Sequence, residues 1–599
     1  MSNHTTLQQA LSELEKNKEQ FEAVQCKSHC VVLAGPGSGK TKTLTTAIAR
    51  TLHEEVIAPR AIACITYNNE CAIELETRLA KLGIETTGTS FIGTVHSFAL
   101  TQIIMPYFRC VSIDIPQDFK VANSSECRVA RENAYKTIYN DSGDPHKQWE
   151  FANEKRIREV DRTLPSWKKN NQELAEFIEE YEKELRKLGL IDFDDMPLIA
   201  FKMIKENSWI CDALEARFPI LFVDEYQDLG HALHELVLLL CFSGKIRLFA
   251  VGDADQSIYG FTGANPELLQ SLTQRTDVQS IQLRFNYRSG TKIVKASLTA
   301  LKEYRNYDSP VGTPEGEIIF NPVNGGLDEQ AYFVVNSLLS ELNRKGHKNE
   351  NIAILYRAAW LGEKIVEALD YSKVPYHRTD GNSLIKRSSK FARFIEDCAK
   401  WVAGGWKVAE PPFNRLHKQA LNLVYSNQYT QNEEQILVLQ LINFLQKSRT
   451  IEETTNEWLL RFKLELVTPW TIVCRNSFQE WCICSELIEK TSPTSNKDIS
   501  LELFSGKVEG SGRVNLTTFH SSKGREFDAV ILFGVNNSVI PVSRDKKTSK
   551  TLQEARRVFY VAVTRPKTIL HLVYEENNPS DFLCDFYQRS KQEKLQKNC

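Results

Sequence analysis

Residues 31–43 read VVLAGPGSGKTKT, an apolar run followed by Gly35, Gly37 and Gly39, then Lys40 and Thr41. Closely spaced glycines let a backbone curl until its N–H groups converge, and converging N–H groups bind phosphate oxygens. Lys40 adds positive charge at the terminal phosphates, and the Thr41 hydroxyl is a ligand for Mg²⁺. The strict pattern has glycine six residues before the lysine; here Ala34 occupies that place. The nucleotide-binding set is thus Ala34, Gly35, Pro36, Gly37, Ser38, Gly39, Lys40, Thr41 and Thr43. A second stretch, ILFVDEYQDLG (220–230), ends an apolar strand in Asp224 and Glu225. Carboxylates at the carboxyl end of a sheet strand face the edge where open α/β folds bind ligands. Asp224 is expected to hold Mg²⁺ through water, and Glu225 to take a proton from attacking water. The chemistry is nucleoside triphosphate hydrolysis, with transfer to an organic acceptor as the rival reading. A third stretch, VGDADQSIYGF (251–261), ends a strand in two acids and Gln256, with Tyr259 and Phe261 close behind.

The elements that position these residues follow from the hydropathy pattern. Apolar runs at 31–34, 61–65, 220–223 and 246–251 alternate with helical patterns, as parallel βαβ units require. A second series occupies 317–323, 352–356, 514–518, 529–533 and 569–573. Two long, mostly helical stretches interrupt them. The first contains ELAEFIEEYEKELRKLGL (173–190), apolar at helical spacing. The expected fold is therefore α/β, with two parallel-sheet cores, each carrying a helical insertion.

Bulk properties agree. A chain of 599 residues exceeds one ordinary core, and 42% apolar with 25% charged residues is globular in character. The longest apolar run, LVLLLCF (236–242), is too short to span a bilayer, and residues 1–30 carry no apolar signal core. Fourteen cysteines without framework spacing suit a reducing compartment, so a cytoplasmic protein without membrane contact is expected. Cys474, Cys482 and Cys484 supply only three potential ligands in an apolar helical context and read as core cysteines. The net charge of −2 means that any nucleic acid must be held by local grooves and stacking.

From about residue 14 to 583 the chain resembles the superfamily 1 DNA helicases of the UvrD, Rep and PcrA type. LEKNKEQFEAV (14–24) resembles their glutamine motif, in which Gln20 reads the adenine edge. TYNNECAIELETR (66–78), GTVHSF (93–98) and DFDDM (192–196) resemble segments of the first core and the close of its insertion. LRFNYRS (283–289) implies Tyr287 against the adenine ring and Arg288 at the γ-phosphate, with Gln256 as its sensor. NIAILYR (351–357) and VPYHRTDG (374–381) look like the signature of the second core. LTTFHSSKGREF (516–527) and EARRVFYVAVTRPK (554–567) imply Glu526 at the ribose and Arg565 as a second γ-phosphate arginine. Such arginines accelerate phosphoryl transfer by about 10³ to 10⁵.

The resemblance implies two RecA-like cores. The first comprises 1–104 and 197–282, with 105–196 inserted; the second comprises 283–384 and 511–599, with 385–510 inserted. Both arginines would then come from the second core. It further implies ATP and Mg²⁺ as cofactors, and 3′ to 5′ movement on single-stranded DNA up to duplex junctions. Tyr67, Asn68, His96, Tyr259, Phe261 and His520 would line the DNA track. Three departures from the family pattern stand out: Glu70 and Thr262 where a basic residue is usual, and Asn68 in place of threonine. The second insertion is short and lacks a Gly-Ile-Gly hairpin, and with so few residues beyond 567 no fused nuclease is expected. The leading reading is an ATP-dependent helicase of the kind used in DNA repair; Glu70, Thr262 and the short second insertion give some weight to an alternative, a DNA-stimulated ATPase acting as sensor or protein-displacing subunit for a separate nuclease, as in phage defence.

Overall fold

The computed structural model describes residues 3–84, 90–140, 142–260, 263–303, 305–385, 389–425, 429–474, 481–492, 500–505 and 512–587. Phe261 and Thr262, and the side chain of Glu70, lie outside the described residues. The chain divides into two compact units, one of 1–316, 543–560 and 585–599, the other of 317–542 and 561–584.

The first unit is built on β1 (His29–Ala34), β2 (Ala63–Thr66), β3 (Phe91–Thr94), β6 (Ile220–Val223), β7 (Arg247–Gly252) and β8 (Val278–Leu283). They form one sheet in the order β3-β2-β6-β7-β1-β8, and every pairing is parallel. Strand alternation sends successive residues to opposite faces. In β6, Leu221 and Val223 join one buried cluster while Ile220 and Phe222 join the other. Helices cover both faces, which is why these strands are apolar throughout rather than alternating. The sequence pattern did not mark β3 and β8. β8 alternates buried and partly exposed residues at the sheet edge and lacks the continuous apolar run of a central strand.

Residues 283–316 and 543–560, expected in the second core, cluster with the first unit. The reason is local bonding. Asn286 N and Tyr287 N donate to Asp308 O (2.7 Å) and Gly37 O (2.8 Å), which ties the segment after β8 to the phosphate loop. Gln553 and Arg556 reach Leu301 O and Ala300 O, and Arg556 pairs with Asp585.

The first insertion is a helical subdomain closed by a two-stranded parallel pairing of β4 (Lys120–Val121) with β5 (Leu190–Ile191). The expected amphipathic helix forms at Gln172–Lys187 and buries Leu174, Phe177, Ile178, Tyr181 and Leu185. Beside this apolar cluster lies Arg156, fully buried, donating to Glu182, Asp192 and Asp195 at 2.5 to 3.0 Å. Tyr181 and Arg186 complete the network through Asp192 and Asp195. DFDDM is therefore in large part a structural anchor.

The second unit carries β9 (Glu317–Val323), β10 (Ile352–Tyr356), β11 (Tyr376–Arg378), β12 (Val514–Thr518), β13 (Phe527–Leu532) and β14 (Pro566–Glu575). Their order is β11-β12-β10-β13-β14-β9, again wholly parallel. Its YHRTDG signature is structural: Tyr356 donates to Asp380 at 2.6 Å, and Arg378 donates to the other oxygen at 2.7 Å. The second insertion is helical among its described residues, around Trp458, Phe462, Trp470 and Cys484. Cys474 packs against that core, but Cys482 is exposed, a correction to its reading as a core residue. Cys482 starts a helix, and two residues of helix turn through about 200°, so it and Cys484 face opposite sides. Among the described residues, no helix is long and apolar enough to cross a membrane.

Burial alone would raise the carboxyls of Glu182 and Asp195. Instead Arg162 and Arg156 hold Glu182, and Arg156 and Arg186 hold Asp195, below the ordinary carboxylate range. Their stabilisation is present above the unfolded carboxylate values and is lost as pH falls through the depressed ones. Arg156→Met strands these acids without their shared cation and should cost about 3–5 kcal/mol. The deficit, read by urea unfolding through Trp149 and Trp167 fluorescence at pH 7, should shrink at pH 5 as the stranded acids take up protons.

Candidate nucleotide and DNA sites

The phosphate loop leaves β1 at Ala34 and enters the helix Lys40–Glu54, whose N-terminus carries the partial positive charge of aligned peptide dipoles. Gly37 and Gly39 adopt φ of +67° and +83°, which side chains disfavour. A Cβ on Gly37 would also lie 2.6 Å from Asn286 Oδ1. The loop braces itself: Ser38 Oγ donates to Gly35 O (2.7 Å), and Thr43 Oγ1 donates to Gly39 O (3.1 Å). Pro36 is buried, while Thr41 is partly accessible at the first turn of the helix.

Gln20, expected at the adenine edge, lies against the phosphate loop, where its amide donates to Ser38 O at 2.8 Å. One turn earlier, Asn17 caps the helix Lys18–Gln25, and its Nδ2 donates to the Tyr287 hydroxyl at 2.5 Å. The Tyr287 ring is half exposed and beside the loop, as a stacking platform for a base requires. Arg288 follows, its N–H held by Asn286 Oδ1 at 2.8 Å and its Cβ against Gly37. Tyr287 and Arg288 thus cluster with the first unit, beside the phosphate loop.

β6 delivers Asp224 and Glu225 to the same sheet edge as β1. Glu225 has φ +49°, a left-handed conformation costly for a non-glycine residue and concentrated at functional sites. Lys40 Nζ lies 3.3 Å from Glu225 Oε1. Burial and the neighbouring Glu225 push Asp224 up to about 7 against the pull of Lys40. A buried Asp224 crowded by a partly exposed Glu225 suits a divalent cation. Mg²⁺ takes one or two carboxylate ligands and completes its shell with phosphates and water, so the Thr41 and Asp224 donor set fits it.

Gln227, within ILFVDEYQDLG, carries a role that only its contacts disclose. Its Nε2 donates to Glu225 Oε2, and its Oε1 accepts from Asp253 N at 2.8 Å, so it joins the ends of β6 and β7. Gln256 is buried, and its Nε2 donates to Asp253 Oδ2 at 2.5 Å. Asp253 is raised to about 6 by burial first and by Asp255 second.

Tyr259, three residues beyond Gln256, stacks on Tyr67 with centroids 5.0 Å apart and planes 18° from parallel. His96 stacks on Phe193 at 3.8 Å, and burial holds the imidazole down to about 4, so it is neutral at ordinary pH. The Phe193 ring is 55% exposed although it belongs to DFDDM, so that motif presents an aromatic as well as its buried acids. Its isolation between acids concealed this from a sequence reading. Asn68 is the cap of the helix Asn69–Lys81, accepting from Cys71 N at 2.8 Å, which explains an asparagine at that position.

In the second unit, Arg565 is buried and donates to Val561 O (2.8 Å), Arg525 O (3.2 Å) and Thr564 Oγ1 (3.0 Å). Glu526 is half exposed and paired with Lys567 at 3.3 Å. His520 lies 3.4 Å from Arg357 NH1 through its Nδ1.

Comparison with known proteins accounts for both units. Residues 16–277 match the UvrD/REP helicase N-terminal domain, and residues 281–389 with 412–577 match the UvrD-like helicase C-terminal domain. The chain is 26% identical to the ATP-dependent DNA helicase PcrA of Staphylococcus aureus, across 95% of this chain and 85% of that protein. It is 24% identical to the ATP-dependent DNA helicase Rep of Buchnera aphidicola, across 91% and 92%. PcrA of Leuconostoc citreum is 25% identical, across 95% and 84%. With a phosphate loop, an acid pair and a Gln256 loop converging on one sheet edge inside the first of two matched domains, the chain belongs to the UvrD/Rep/PcrA-type helicases.

Proposed function

We propose that this protein hydrolyses ATP to move 3′ to 5′ along single-stranded DNA and to separate duplex at junctions. The observation that carries the reading is one unbroken run of contacts: Lys40 to Glu225, Glu225 to Gln227, Gln227 to Asp253, and Asp253 to Gln256. Three residues later the chain reaches Tyr259 and its stacked partner Tyr67. Occupancy at the phosphates therefore has a short path to aromatic faces on which bases of any sequence can stack. Polarity rests on the family relationship, and the cytoplasm, where DNA is met, is the proposed setting.

In the proposed chemistry, the phosphate loop and Lys40 hold the β- and γ-phosphates, and Tyr287 carries the adenine. Thr41 and, through water, Asp224 would hold Mg²⁺, which would supply positive charge beside the phosphate oxygens. Glu225 leaves Lys40 when phosphate replaces it as that cation's partner, and accepts the proton of attacking water. Gln256 exchanges Asp253 for the γ-phosphate. Arg288 and Arg565 stabilise the transferring group, and Glu526 holds the ribose. Tyr67, Asn68, His96, Tyr259, Phe261 and His520 face the strand.

A second reading is favoured by Glu70 and Thr262, which replace basic residues that would meet DNA phosphates, and by the short second insertion. In it the protein is a DNA-stimulated ATPase that senses DNA or displaces bound protein for a separate nuclease, in phage defence.

Glu225→Gln removes the base and should slow ATP hydrolysis by about 10² to 10⁴ while nucleotide still binds; an undiminished rate would refute the mechanism. Strand displacement on 3′-tailed and 5′-tailed duplexes should show ATP-dependent unwinding of the 3′-tailed substrate alone. DNA-stimulated hydrolysis without unwinding would select the second reading. Tyr259→Ala should weaken binding of single-stranded DNA by about 1–3 kcal/mol, measured by fluorescence anisotropy.

A further inference from the structure

The stretch Arg305–Asp308 lies outside every motif singled out in the sequence, yet it touches three parts of the nucleotide site. Arg305 Nε and NH2 donate to the two oxygens of Asp255 at 2.5 and 2.6 Å, a bidentate pair in which the carboxylate is almost fully buried. Asp255 precedes Gln256 in the short helical turn Ala254–Gln256, and its own N–H is held by Asp253 Oδ1 at 3.0 Å. Two residues on, the Tyr307 ring covers the phosphate loop: a Cβ on Gly35 would lie 2.7 Å from it. Asp308 then pairs with both sides of the Arg288 turn, donating to Arg284 O (2.9 Å) and accepting from Asn286 N (2.7 Å).

We infer that Arg305 is a positioning residue for ATP hydrolysis: through Asp255 it sets where Gln256 stands relative to the phosphate loop and the Arg288 turn. This rests on the proposed role of Gln256 at the γ-phosphate. The physical case is one of stiffness. Gln256 must exchange Asp253 for a phosphate oxygen, a movement of one amide, and that exchange is productive only if its backbone stays in place. A planar guanidinium fork on a buried carboxylate fixes both distance and orientation, which a single ammonium contact does not. The same stretch contacts the phosphate loop and the Arg288 turn, so the three pieces move as one.

The test measures ATP hydrolysis, nucleotide affinity and thermal stability of the full chain for Arg305→Met, Arg305→Lys, Asp255→Asn and Gln256→Ala. Displacement of a catalytic group by about 1 Å costs roughly 10²-fold in rate, so R305M should lower kcat by about ten- to a hundredfold. Binding of a fluorescent ATP analogue should change less than about threefold, on the same positioning argument. R305K should recover part of the rate, and the R305M/D255N double variant should be no slower than R305M, since both remove one interaction. Loss of thermal stability with kcat intact, or additive losses in the double variant, would overturn the inference. Should R305M fail to fold, R305K and D255N carry the same comparison. A fully active Q256A would remove the γ-phosphate reading and this inference together, whereas a slow Q256A beside a fast R305M would remove only the latter.

Discussion

Every strand of a parallel sheet ends on the same edge, and in the first unit that constraint organises the rest. The phosphate loop follows β1, the acid pair follows β6, the Gln256 loop follows β7 and the Tyr287–Arg288 turn follows β8. β6, β7, β1 and β8 are consecutive neighbours in the sheet. Residues 270 positions apart, such as Asn17 and Tyr287, meet because strand order brings their segments to one edge. The apolar character of the strands follows from the same arrangement, since helices on both faces leave neither side of the sheet to solvent.

Charge at that edge is balanced by internal partners. Lys40 rests on Glu225, Gln256 on Asp253 and Arg305 on Asp255. Each pairing supplies a buried polar group with a partner, as burial demands. In the proposed mechanism, those on Lys40 and Gln256 are the contacts that phosphate would replace. Gln227 belongs to a different class. It joins the ends of β6 and β7 through one amide, using both its donor and its acceptor.

Much of this was legible in advance. Lys40, Asp224 and Glu225 announce their chemistry because residue type, spacing and position after an apolar strand all point the same way. The strands of both cores were marked wherever burial on both faces made them continuously apolar. β8 was not, because an edge strand with one accessible face carries a weaker pattern. The contact of the Gln20 amide with Ser38 O was not legible, since a sequence names a side chain and not the direction of its amide. Cys482 failed for a similar reason: helical phase, set by where the helix begins, turned it outward.

The sequence by itself determined the two parallel sheets, the phosphate loop, the acid pair and the family, because these depend on local pattern and on chemistry carried by contiguous residues. Only the tertiary structure decided that Tyr287 N donates to Gly37 O, that Gln227 bridges two strand ends, and that Arg305 grips Asp255. These are contacts between segments separated by tens to hundreds of residues. No periodicity records them, because what selects the partner is the register and order of strands in space rather than the distance along the chain.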